Sequence, residues 1–166
     1  FKPTSGGNIY TVPGAVPHVS WASIDGETIG TGAGGENKSV GYSYDGNVYQ
    51  GNSAVYSGSS YTTNDIVGVA MDLDNFKIYF SKNGTFQNSG NPASGATGTG
   101  AVSLDSSLTD WSVSPSVAGS AMACNYGSAP YAISSGNADG NGFGNFEYAV
   151  PSGYFALCSK NLAEYG

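Results

Sequence analysis

Arginine is absent from this 166-residue chain, and charged residues of all kinds make up only 10% of it. Its five basic residues are scattered lysines, and they stand against twelve acidic residues, which gives a formal net charge of −7 at pH 7. Nucleic-acid and anionic-lipid binding both draw affinity from clustered Lys and Arg. The sequence therefore predicts no nucleic-acid partner, and the lack of an 18-residue apolar run predicts no membrane span.

Histidine and cysteine are scarce too. Catalysis of the Ser-His-Asp or Cys-His kind would have to use His18, the single histidine, which lies in the least regular part of the chain. Two cysteines and one histidine do not complete a zinc site without an added carboxylate. We expect no resident metal and no cofactor. Cys124 and Cys158 are expected to be reduced thiols. A disulfide between them is the alternative if their strands are neighbours.

Small polar residues and aromatics dominate what is present. Gly, Ser, Thr and Asn account for 74 of the 166 residues, and aromatic residues make up 13%. The first group forms helices poorly, whereas aromatics favour strands. This composition predicts very little helix and many short strands.

Alternation of apolar residues marks the clearest strands. Across residues 65–73, Val67, Val69, Met71 and Leu73 recur with period two, which predicts one core-facing side. After a turn at residues 74–75, the same period places Phe76, Ile78 and Phe80 inward. Asp45-Gly46 lies between two further strand-like runs and predicts a hairpin turn. Further strands are expected at residues 111–117, 121–126 and 149–157, and long loops at residues 88–109 and 134–145. Together these patterns predict an all-β, antiparallel sandwich of jelly-roll type.

Two segments of this region carry a family signature. Residues 64–72 read NDIVGVAMD and residues 80–84 read FSKNG, and both resemble the signature strands of the SPRY domain family. Residues 40–46, 124–131 and 151–157 resemble other elements of the family in the same order. The resemblance implies an antiparallel sandwich of the concanavalin-A-like kind over residues 40–158.

The resemblance does not extend to the front of the chain. Residues 1–39 lack the opening strand motif of the family, so they are interpreted as an irregular segment, and residues 159–166 as a C-terminal linker. We expect earlier residues of a longer polypeptide, or another subunit, to cover the core face left open. The segment alone is then expected to be oligomeric or prone to aggregation.

The resemblance also implies a function: a non-enzymatic structural or recognition module of a virion, within a phage fibre, tail part or capsid appendage. Its expected partners are other virion subunits and a host-surface glycan or protein. One alternative is a glycan-active enzyme of the same superfamily, although the four glutamates are not paired as such enzymes need and Asp72 and Asp74 fit turn caps better. The other is a cellular SPRY adaptor that captures a peptide, which the Gly/Ser/Asn-rich composition and the lack of arginine disfavour.

Loops are the expected recognition surface because strands hold them in place while their sequences vary. We expect a partner to contact the loops at residues 45–52, 57–62, 88–109 and 134–145. Tyr49, Tyr61 and Trp111 are the proposed contact residues, since aromatic faces stack on sugars or fill protein pockets. Within the loop at residues 137–145, residues 137–142 imitate the first half of a calcium loop, but a polar turn is the favoured interpretation.

Overall fold

The computed structural model describes residues 1–5, 10–17, 38–51, 53–108, 111–118 and 121–166. Within these residues the chain forms short strands, two 3-10 segments and one α-helix. The strands are β1 (Lys2–Ser5), β2 (Tyr10–Pro17), β3 (Val40–Tyr42), β4 (Asn47–Gln50), β5 (Ser53–Ser57), β6 (Val67–Asp72), β7 (Lys77–Lys82), β8 (Thr85–Phe86), β9 (Val102–Ser103), β10 (Trp111–Ala118) and β11 (Ala121–Ala123). The 3-10 segments are Gln87–Ser89 and Pro92–Thr97, and the helix is α1 (Ser159–Tyr165).

Two antiparallel sheets face each other. The front sheet has the order β10-β2-β3-β4-β5, and in the back sheet β7 pairs with β6, β8 and β9. A third pair, β1 with β11, adjoins the back sheet, because Phe1 and Val67 exchange backbone hydrogen bonds of 2.9 and 2.8 Å. The prediction of an all-β antiparallel sandwich with little helix is confirmed.

The core lies between the two sheets. Val40, Tyr42 and Val48 enter it from the front sheet, and Val67, Ile78, Phe80 and Val102 enter it from the back sheet. The rings of Tyr42 and Tyr61 meet edge to face with centroids 5.1 Å apart. Such a contact adds to the free energy gained by burying the two rings.

Period two placed six of its seven residues correctly in or against this core. Val67, Ile78 and Phe80 are fully buried, and Val69, Met71 and Phe76 pack against them. Leu73 is the exception, with 40% of its surface exposed. It stands in the turn after β6, where the chain has already left the sheet, so it faces outward and the prediction for it is wrong.

The Asp45-Gly46 turn forms as predicted. The Asp45 carboxylate accepts from the Asn47 N–H at 3.0 Å, and Gly46 adopts φ 98°, which side chains disfavour. A Cβ on Gly46 would also lie 2.7 Å from the Gly58 carbonyl oxygen. Glycine is therefore required here both by conformation and by space.

The interpretation of residues 1–39 as an irregular segment is wrong in their described part. Residues 2–5 form β1, and residues 10–17 form β2 between β10 and β3. Pro13 does not interrupt β2, because the β3 ladder reaches only Gly14 and Ala15. Proline cannot donate to a ladder, but it fits an extended strand where no bond is needed. His18 lies outside the described residues.

Three predictions for the later part of the chain also need correction. The loop at residues 88–109 contains β9 and a 3-10 segment. Residues 149–157, expected to be a strand, form neither strand nor helix. Residues 159–166, interpreted as a linker, contain α1 with Asn161 buried. In the described part of the chain, no helix is long and apolar enough to cross a membrane.

Tyr61 offers a test of the core. Its side chain is 4% exposed, and its hydroxyl donates to the Tyr42 carbonyl at 2.8 Å. We expect Tyr61→Ala to lower the free energy of unfolding by about 3–5 kcal/mol, through the cavity and the lost hydrogen bond. Urea denaturation measures it. Tyr165→Ala is the matched control, because Tyr165 is 67% exposed. Equal stability of the two variants would contradict this placement of Tyr61.

Candidate functional site

The outer face of the back sheet, which points away from the front sheet, carries small side chains on β6. Gly68 and Ala70 lie there, opposite Ser81 and Tyr79 of β7 in the antiparallel register. A Cβ atom on Gly68 would come within 2.4 Å of the Ser81 Oγ. Because Gly68 and Ala70 rise little above the sheet, this part of the face, called the channel below, leaves room for another segment of the chain.

Residues 146–157 lie over this channel without joining the sheet. The ring of Tyr148 rests on Gly84, where a Cβ would be 2.6 Å from the ring. Further along, the Tyr154 hydroxyl donates to the Pro92 carbonyl at 3.3 Å. The segment is thus attached at the β7–β8 turn on one side and at the second 3-10 segment on the other.

An open groove of about 700 Å³ remains between the channel and this segment. That volume lies within the range of known ligand sites. Aromatic side chains form much of the lining, namely Phe1, Phe86, Tyr126, Tyr131, Phe146, Tyr148, Tyr154 and Phe155. Phe155 is 56% exposed and Tyr148 39% exposed. Their rings present apolar surface to solvent at the mouth of the groove.

The charged side chains that line the groove are all acidic: Asp72, Asp74 and Glu147. The Asp72 carboxylate accepts from the backbone N–H and the side-chain amide of Asn75 at 2.9 and 2.8 Å, so it is a turn cap, as its position predicted. Glu147 accepts from the hydroxyl and the backbone N–H of Ser134, and these bonds lower its pKa. The groove therefore has a negative lining.

Asp139 fixes the end of the covering segment. One carboxylate oxygen accepts from the Ala156 N–H at 2.8 Å and from the Asn161 side-chain amide at 2.6 Å. The other accepts from the backbone N–H groups of Asn141 and Phe143, both at 2.9 Å. Burial opposes the charged form, but these donors outweigh it and lower the pKa of Asp139 to about 2.

The same contacts support the polar-turn interpretation of residues 137–145. N–H donors surround both oxygens of Asp139, and such donors would repel a cation. Asp139 is thus a structural anchor. Within the described ranges, no group of three or more His, Cys, Asp or Glu residues is placed to hold a metal ion. Cys124 and Cys158 are both free thiols.

The three proposed contact residues do not meet in this groove. Tyr61 lies in the core and cannot reach a partner, so that prediction is wrong. Trp111 is half-buried against the core, and its indole N–H donates to the Leu108 carbonyl at 3.2 Å. Tyr49 lies half-buried on β4 of the front sheet. Of the four predicted loops, residues 88–109 contribute Pro92, Ala93 and Gly95 to the groove.

The family model named SPRY domain matches residues 17–103, which is more than half of the chain. The chain belongs to the SPRY domain family. No curated protein sequence matches it. The matched range contains β3 to β9, and therefore most of the core and the floor of the groove, whereas residues 146–157 lie beyond it. Membership of the SPRY family makes the chain a protein-interaction module.

The Asp139 anchor predicts a pH effect. Its folded pKa of about 2 lies below the ordinary value of 3.8, so the carboxylate stabilises the fold above about pH 5 and loses that effect as pH falls toward 2. Asp139→Asn puts an amide NH2 where N–H donors need an acceptor. We expect a loss of about 1.5–3 kcal/mol at pH 7 that shrinks toward pH 2.

Urea denaturation between pH 7 and pH 2 measures this difference. Glu164→Gln is the control, because Glu164 is exposed on α1 and its change should leave the profile unaltered. A constant gap between Asp139→Asn and the unaltered protein over the whole pH range would contradict the anchoring role.

Proposed function

We propose that this SPRY domain binds a segment of a partner protein in the groove on the outer face of its back sheet. The observation that carries the proposal is the groove itself, which combines a floor of small residues with aromatic walls. Phe155 and Tyr148 expose rings that a partner can bury, and aromatic side chains are common anchors of binding energy. The acidic lining favours a partner segment without acidic residues of its own.

The loops at the end of the sandwich are less suited to binding because they bind one another. The Gly58 N–H donates to the Gly46 carbonyl at 2.7 Å, and the Tyr61 N–H donates to the Tyr44 carbonyl at 2.9 Å. The Ser59 N–H donates to the Gln87 side chain at 2.7 Å. These polar groups already have internal partners, whereas the groove offers uncovered apolar surface.

The proposed activity is binding without catalysis. The groove acids belong to structural contacts, since Asp72 caps a turn and Glu147 holds the Ser134 backbone. A glycanase needs two carboxyl groups on either side of a sugar bond, with one free to exchange a proton. The arrangement of Asp72 beside Asp74 on one turn supports binding better than that chemistry.

The setting that we propose for this module is a virion, as part of a fibre, tail or capsid appendage, in contact with other virion subunits or a host-surface molecule. Support comes from the sequence: its Gly/Ser/Asn-rich composition and lack of arginine distinguish it from the cellular adaptor alternative. Immunogold labelling of purified particles with antibodies against this domain should mark an appendage. Label found on cellular proteins but absent from particles would contradict the setting.

Occlusion of the groove tests the binding site. Ala93 is exposed and lines the groove, so Ala93→Trp should fill part of it without disturbing the core. Peptides selected from a phage-displayed random 12-residue library against the unaltered protein should lose affinity for Ala93→Trp by about tenfold or more, since a buried anchor is worth roughly 1–2 kcal/mol. Fluorescence anisotropy with the selected peptides measures this.

Ala96→Trp is the matched control, because Ala96 is exposed on the same 3-10 segment but does not line the groove. It should bind the selected peptides with unchanged affinity. Selected peptides that bind Ala93→Trp as well as the unaltered protein would refute the groove as the site. The library could also yield no binder while the protein binds sugars on a glycan array and Ala93→Trp abolishes that binding. This result would refute a protein partner and indicate a sugar ligand instead.

A further inference from the structure

The groove has acidic residues at two ends, Glu147 at one and Asp72 with Asp74 at the other. The two ends differ in whether a basic side chain of the same chain lies nearby. At the Glu147 end, the Lys2 ammonium lies over the Tyr131 ring, 5.2 Å from its centroid. Glu147 and Tyr131 both line the groove. Burial raises the pKa of Tyr131. This end already combines an acidic group, an aromatic ring and a cation from the chain itself.

The other end has the acid and the ring but, among the described residues, no such cation. Asp72 and Tyr154 both line the groove. Burial first, and then the charge of Asp72, raises the pKa of Tyr154. Asp74 is exposed on the adjoining turn. In the part of the chain that the structure describes, the ion pairs join Lys38 to Asp105 and Lys82 to Asp65, and neither acid of this end takes part.

Lys77 stands opposite Asp72 in the pairing of β6 with β7, which is a position suited to an ion pair. Instead, the Lys77 ammonium donates to the Ser103 hydroxyl at 2.9 Å. Ser103 is on β9, which pairs with β7 on the side away from β6. The Lys77 side chain is therefore directed out of the groove. Asp72 lines the groove and has no ion-pair partner among the described residues.

From this charge pattern we propose that the groove takes a partner segment with an arginine among apolar side chains, and that the guanidinium lies at the Asp72 end. This inference rests on the proposed function. Guanidinium stacks on aromatic rings and bonds to carboxylates through a planar fork, and this end offers both. The apolar neighbours of the arginine would cover the Phe155 and Tyr148 rings at the mouth.

The arginine must come from outside these 166 residues. This chain contains none, and its net charge of −7 makes two copies of the acidic groove repel each other. A second copy is therefore a poor occupant. A partner with basic residues is attracted by the same field, which also speeds its encounter with the groove.

Pools of acetylated, amidated hexapeptides provide the probe. One pool has arginine fixed at the third position and mixed apolar residues elsewhere, and the matched pool has citrulline there, which keeps the shape and removes the charge. We expect the arginine pool to bind about three- to tenfold more tightly at low salt, with the advantage falling as NaCl rises. Asp74→Asn combined with Asp72→Asn should remove the advantage.

Controls separate this inference from the groove itself. Asp105→Asn removes an acid outside the groove and should keep the arginine preference, and thermal melting checks that each variant is folded. If Ala93→Trp abolishes binding of both pools while arginine and citrulline bind equally, the groove stands and the arginine anchor is refuted. Arginine preference that survives Ala93→Trp, or self-association that the arginine pool does not displace, would also overturn the inference.

Discussion

Strand β7 is buried on both of its faces, and the rest of the architecture follows from that burial. Ile78 and Phe80 point into the core, while Tyr79 and Ser81, on the opposite side, are buried as well. A strand with two buried faces needs a layer of protein on each side. The front sheet supplies one layer. Residues 146–157 and the second 3-10 segment supply the other, and because irregular chain covers a sheet incompletely, a groove is left over β6.

Irregular chain cannot satisfy its whole backbone through a ladder, so side chains supply part of the hydrogen bonding of the outer layer. Asp139 accepts four such bonds, and Asn161 of α1 both donates to it and accepts from the Asn141 side chain at 2.8 Å. The short helix therefore has a structural role, because it closes a polar network that holds the Ala156 end of the covering layer. The groove keeps its shape because its outer wall is fixed at this point.

Sequence patterns predicted the elements that depend on residues close together in the chain. Period two in residues 67–80 located β6, β7 and the part of the core that these two strands supply, and Asp45-Gly46 located a hairpin. The outer layer had a weaker signal in the small side chains of Gly68 and Ala70, which indicate close approach by another segment. That signal does not say which segment approaches. Tyr61 shows the same difficulty, because its burial depends on the distant Tyr42 carbonyl and Tyr42 ring, whereas its sequence neighbours Ser60 and Thr62 resemble a loop.

The scarcity of basic residues affects recognition as much as solubility. Lys77 and Lys82 are bound to Ser103 and Ser60, so neither is free to neutralise the groove acids. Lys2 reaches only the Tyr131 end. An acidic segment entering the groove would meet uncompensated like charge, and a neutral apolar segment would leave Asp72 partly desolvated without a counter-charge. Discrimination against those partners therefore comes from repulsion and desolvation, while the aromatic walls supply attraction that is common to all of them.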